Sequence, residues 1–147
     1  MKLQVSSRIA IYALLELAAR PGGQLSVADI GAKYRISSHH LAKVMKVLSR
    51  AGLVRSVRGA GGGSQFSGNA RRVTLLDVIE LFEKLGSRDA ADEPGEATGE
   101  GRVLRHVLDE IDDISRATLG SITIATMLKL LERNRDGHLR RAAGRAG

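Results

Sequence analysis

A mainly α-helical fold carrying one small β-hairpin is what the sequence predicts, and three features predict it. Apolar residues recur at helical spacing through most of the chain. Ser26, Ser37 and Thr74 stand as N-cap residues immediately ahead of such runs. One segment, LVRSVR, instead alternates apolar and basic residues and runs into a glycine cluster, the mark of a strand and turn.

Taken in order, residues 8–20 form an apolar first helix closed by PGG. Its run from Ile9 to Leu15 faintly resembles a secretion signal, but Glu16 interrupts it and no small-x-small cleavage site follows. Ser26 to Asp29 spell a capping box that opens a short helix ending near Tyr34. After the turn YRIS, Ser37 caps a second helix whose Leu41, Val44, Met45 and Leu48 fall at i, i+3, i+4 and i+7, with Gly52 as its stop. Two helices joined by so short a turn make a helix-turn-helix. The outward set of the second helix comprises Ser38, His39, His40, Lys43, Lys46, Val47 and Arg50.

Residues 53–58 then read as a strand, 59–63 as a tip and 64–67 as a return strand, giving the helix-turn-helix a wing. Thr74 to Asp77 form another capping box, opening a helix that reaches Leu85. Residues 87–101 lack apolar periodicity and hold five acidic residues, so a mobile acidic loop is expected there. From residue 102 a long stripe returns with Val103, Leu104, Val107, Leu108, Ile111, Ile114 and Thr118, opposite the acidic run DEIDD. Such a stripe needs a cover, and the same helix of a second chain supplies one. A last helix over 123–132 and an arginine-rich flexible tail over 135–147 complete the reading.

The fold class is thus mainly α, a winged helix-turn-helix over residues 1–86 with a small β-hairpin wing. A dimerisation helix and final helix follow over 102–134. Charge agrees with this division. Of the net +7, residues 1–72 carry 12 Lys and Arg against Glu16 and Asp29, while residues 73–132 carry 6 basic against 13 acidic residues. A basic half joined to an acidic half points to a polyanion-binding module attached to an element with another task.

Several chemistries are excluded. The chain has no cysteine, which removes disulfides, thiolate metal sites and a catalytic thiol. The glycines at Gly61, Gly62 and Gly63 lack the Lys-Ser/Thr of a phosphate loop and the following helix of a dinucleotide fingerprint. His39 and His40 are adjacent, hence about 100° apart on a helix, and do not form an i, i+4 metal pair. No nucleophile, base and orienting group stand together in the pattern, so an enzyme is not expected. No stretch has the length and hydropathy of a membrane span.

The segments SVADIGAKYRISSHHLAKVMKVLSRAGLVRSVRGAGGG and VTLLDVIELFE, after MKLQVSSRIAIYALLELA, resemble the bacterial winged-helix regulators typified by IscR and NsrR, the Rrf-two family. The resemblance implies a homodimeric transcription regulator, a repressor or activator with repression the favoured reading, working on double-stranded palindromic promoter DNA in the cytoplasm, at the nucleoid. It implies that Ser38, His39, His40 and Lys43 face the major groove and that Arg58, with Gly61, Gly62 and Gly63, enters the minor groove. Lys46, Arg50 and Arg55 extend the same basic surface. Cluster-binding members carry three cysteines between the post-wing helix and the dimer helix, where this chain has none, so a cluster-free branch without cofactor or metal is expected. Arg8 and His106 stand near positions where some members place an aspartate and a histidine, and Ser64 replaces an aromatic that often follows the wing glycines. Two other readings of the residues are a protein-binding adaptor using the long helix and acidic loop, and a regulator with an effector pocket near the dimer helix, its ligand unknown.

Overall fold

Helix α1, Val5–Ala18, is the axis around which the rest is assembled in the computed structural model, which describes residues 1–59, 61–86 and 93–145. It begins before the expected residue 8. Ala10, Ala13, Leu14 and Leu17 are at most 1% exposed, because α1 packs against helices on several sides and against the hairpin. Gln4 gives its N-terminus no side-chain cap. The carboxylate of Glu83 does so from far along the chain, accepting from the Gln4 N–H at 2.8 Å and from the buried Ser7 hydroxyl at 2.5 Å. A negative group there also complements the helix dipole.

Helix α2, Val27–Tyr34, is started by Ser26, whose hydroxyl accepts from the Asp29 N–H at 3.0 Å. It stops at Arg35, which adopts the left-handed conformation with φ 54°. Helix α3, Ser38–Arg50, follows at once, with Ser37 accepting from the His40 N–H at 3.2 Å. Its Leu41, Val44, Met45 and Leu48 are buried, as their spacing predicts. Gly52, at φ 76°, lets the chain leave through a Schellman closure in which the Leu53 N–H reaches the Leu48 carbonyl at 3.0 Å.

Strands β1, Val54–Val57, and β2, Gly63–Phe66, pair antiparallel with Arg55 opposite Gln65 and Val57 opposite Gly63. The complete capping box predicted at Thr74 and Asp77 is made, at 3.1 and 2.9 Å. Its helix α4 covers only Leu75–Ile79, short of the expected Leu85. Tight bonds from Leu81 to Val78 and from Phe82 to Ile79 end it, while Phe82 and Leu85 still pack on the core.

Helix α5, Gly99–Ser121, starts ahead of the expected residue 102 because Thr98 caps it, accepting from the Gly101 N–H at 3.1 Å. Of the expected acidic loop, 87–92 lie outside the described residues, 93–98 form turns, and 99–101 belong to α5. Helix α6, Ile124–Arg145, is pinned at its start: Ile124 and Ala125 donate to the Val73 and Ala70 carbonyls at 2.9 and 2.8 Å. The helix then runs on to Arg145 where a flexible tail was expected from 135. Leu, Arg and Ala are strong helix formers and sustain it after core contacts cease. Residues 146–147 lie outside the described residues.

Candidate nucleic-acid interface

Helix α3 buries one face and leaves the other as a row. His39, Lys43, Lys46 and Arg50, at steps of four, three and four residues, are all exposed and share one side of the helix. Ser38 is exposed beside them at the first turn. The structure separates two members of the sequence-derived set from that row. His40 turns toward α1, its Nε2 lying 3.2 Å from the Ser6 hydroxyl, and is half-buried. Val47 is half-buried too. A turn of 100° per residue puts both on the flank of the row, between it and the buried stripe of Leu41, Val44 and Leu48.

The hairpin carries two arginines with different situations. Arg55 is tied across the ladder, its Nε donating to the Gln65 amide oxygen at 2.8 Å. Arg58 stands exposed just past β1, beside Gly59 at φ 123°. The glycines of the tip serve distinct needs. Gly61 has φ 76°, where a Cβ is strained. At Gly63 a Cβ would lie 2.4 Å from the Leu25 carbonyl oxygen, and at Gly62 2.8 Å from that of Val57, so close backbone approach explains both.

That approach at Gly63 reveals an anchor the sequence reading did not find. Leu25, on the α1–α2 connection, pairs with Ser64: its N–H donates to the Ser64 carbonyl at 3.0 Å and its carbonyl accepts from the Ser64 N–H at 2.8 Å. Gln24 adds a bond from its side-chain amide to the Gly61 carbonyl at the tip. In the sequence the segment PGGQLS reads only as a loop, because a single rung has no period.

Of the two acids in the basic half, one is withdrawn from the surface and the other stays exposed. Asp29 lies in the first turn of α2. Glu16 is 8% exposed and accepts bonds from Arg20 (3.0 Å), Tyr34 (2.5 Å) and Lys33. Burial alone would raise the Glu16 carboxyl, but these three donors outweigh it and hold it below the usual carboxylate range. Tyr34 is driven the other way, above the usual phenol value, by burial and by its bond to the Glu16 carboxylate. Its ring stacks on Tyr12 at 4.9 Å.

On α5 the stripe divides. Val103, Leu104, Val107, Ile111 and Ile114 are 45–67% exposed, an apolar face uncovered within the chain. Leu108 is rotated off this face and half-buried, lining a cavity of about 620 Å³ with Gly86, Glu93, Glu96 and Arg105. Four carboxylates, Glu93, Glu96, Glu100 and Asp109, stand in its lining beside the apolar Leu104 and Leu108.

Comparison with known proteins places these features in a family. Residues 3–130 match the model of Rrf2, described as an iron-dependent transcriptional regulator. The chain is 50% identical over 137 residues to BadM of Rhodopseudomonas palustris, a candidate HTH-type transcriptional regulator, covering 92% of this chain and 86% of that protein. It is 32% identical over 132 residues to the HTH-type transcriptional regulator IscR of Vibrio campbellii, covering 88% and 78%. Among solved structures, T. potens IscR superposes with a TM-score of 0.74 at 29% identity, covering 91% of this chain and 90% of that one. The oxidised form of Staphylococcus aureus CymR gives 0.72 at 27%, covering 87% and 96%. The iron in the family description does not carry over to a thiolate-held cluster, because the chain has no cysteine. Among the described residues no three His, Asp or Glu side chains converge as a metal site. The relatives are regulators rather than enzymes, and the winged helix-turn-helix described above is theirs. The chain belongs to the Rrf2 family of transcriptional regulators.

Proposed function

We propose that the chain binds promoter DNA as a homodimer and represses transcription by occupying it, without an iron–sulfur cluster. The observation that carries this reading is the exposed row of His39, Lys43, Lys46 and Arg50, set beside a wing tip bearing Arg58. Both lie in a half of the chain with 12 basic and 2 acidic residues. The row has the width and charge to enter a major groove, with Ser38 at its leading end, and Arg58 the reach to enter the adjoining minor groove. Gly61, Gly62 and Gly63 hold the tip in shape, and Arg55 meets phosphate along the approach. His40 takes a supporting place behind the row.

The exposed face of α5 supports the dimer. Val103, Leu104, Val107, Ile111 and Ile114 form a self-complementary surface, and an isologous pairing generates a two-fold axis. Two α3 helices related by that axis call for a palindromic site with half-sites about one helical turn apart, or a multiple of it. Such a dimer operates in the cytoplasm, at the nucleoid. Among the described residues no helix is long and apolar enough to cross a membrane.

Genomic pull-down of bound DNA, followed by mobility shift on the recovered sequence, tests the reading. A two-fold motif upstream of genes whose expression rises on deletion is the expected result. Capture of a protein partner without DNA, with no enriched motif, sinks it in favour of an adaptor.

A further inference from the structure

A second cavity, of about 320 Å³, lies against the N-terminal end of α3, with arginines in its lining and no carboxylate. Its floor is apolar, made by Val5 and Ile9 of α1 and by Ile36 of the turn. The stacked rings of Tyr12 and Tyr34 wall one side. Arg8, Arg35 and His40 stand around it, one from each of three elements: α1, the turn and α3.

The charge at this cleft is uncompensated. Among the described residues neither Arg8 nor Arg35 has a carboxylate within salt-bridge distance. Glu16, joined to the Tyr34 hydroxyl, is already held by Lys33 and Arg20. Arg35 is also the one described non-glycine residue with positive φ. A left-handed arginine costs about 1 kcal/mol where Gly or Asn is at ease. Its side chain is therefore placed at the cleft at some expense to the fold.

We propose that this cleft binds a small organic oxyanion, a carboxylate or phosphate group carried on an apolar body, and that the bound anion locks α3 to α1. The apolar body lies on Ile9, Ile36 and the Tyr12 ring, and the anionic group sits between Arg8 and Arg35 within reach of His40. Guanidinium groups make charge-assisted bonds to carboxylates and phosphates, and the apolar floor separates such a ligand from a bare ion. The existing bond between His40 and Ser6 already joins α3 to α1, and an anion bridging the arginines adds to that joint. The inference does not rest on the DNA-binding reading, since every measurement below is made without DNA.

The test is titration of the full chain with hexanoate and 3-phenylpropionate, with their neutral amides, and with inorganic phosphate, by calorimetry and by NMR of the His40 ring. The two carboxylates bind at one site per chain, at least tenfold tighter than the amides, and shift the His40 resonances. They also slow amide exchange over the first turn of α3. Arg35→Gly, which keeps the left-handed turn at ease and so preserves the fold, weakens binding about tenfold or more. Arg8→Gln does the same. Equal affinity for carboxylates and amides, or phosphate binding as tightly as the carboxylates, overturns the proposed ligand class. Carboxylate binding that Arg35→Gly leaves unchanged overturns the site. Should both variants bind carboxylates as the parent chain does, the arginines do not hold the anion and the cleft is not its site. If binding occurs with no change in α3 exchange, the locking role falls.

Discussion

Glu16 shows how much one side chain decides. It joins α1 to α2 through Lys33 and Tyr34, and its removal takes one acid from the basic half only by breaking that joint. Because its folded-state pKa is depressed, its contribution is fully present above the unfolded carboxyl value and is lost as pH falls through the lower folded one. Glu16→Gln is therefore expected to lower stability by about 1–2 kcal/mol at neutral pH, and the gap to close on acidification below about pH 4. Urea unfolding of both proteins across that range reads it. Gly63→Ala tests the backbone approach at the wing: with a Cβ 2.4 Å from the Leu25 oxygen, either the strand or the connection must shift. A loss of about 1–3 kcal/mol is expected, with faster amide exchange at Leu25 and Ser64. Neither effect was legible in the sequence, where Glu16 interrupted an apolar run and Gly63 was one of a flexible cluster. Both depend on partners distant along the chain.

At the scale of elements, legibility followed local chemistry. The bounds of α2 and α3 were readable because Ser26, Ser37 and Gly52 end them by bonds within a few residues. Helix α4 was misread as longer because Phe82 and Leu85 keep the apolar spacing while packing from tight turns. Helix α6 was misread as shorter because a missing apolar stripe was taken for a missing helix. For the interface, Lys43, Lys46, Arg50 and Arg58 were placed correctly as exposed groups, whereas the direction of His40 depended on Ser6. Two predictions belong here. Ile111→Asp, at a position 51% exposed in the single chain, puts a charge into the proposed α5 pairing and is expected to give a folded monomer by sedimentation. Gln24→Ala removes the bond to the wing tip without touching a groove-facing residue. It is expected to weaken DNA binding by less than Arg58→Ala, for which about 1–3 kcal/mol is expected.

For the molecule as a whole, charge segregation is the governing property. The acidic residues are concentrated in the second half, on and around α5, so the first half presents its basic surface nearly unopposed. DNA affinity should fall steeply with salt, with a log–log slope of about −0.9 per neutralised phosphate. Removing Arg55, proposed as a phosphate contact, should reduce that slope by about one and weaken all sequences alike. A change at Lys43 should instead alter base preference. Competition binding over a salt series separates the two outcomes. The long-range division was readable from charge alone, because net charge needs no knowledge of contacts.

The rung between Leu25 and Ser64 makes the six residues 19–24 a spacer, tied to α1 at one end and to the hairpin at the other. Strand pairing alternates faces with every residue. Shortening the spacer by one would offer Ser26 to the rung in place of Leu25, turn the apolar side chain outward and take the serine from its cap on α2. Lengthening it leaves the rung and the cap in place, because an irregular turn absorbs added residues. The connection between α1 and α2 thus sets where the wing tip, and Arg58 with it, is held.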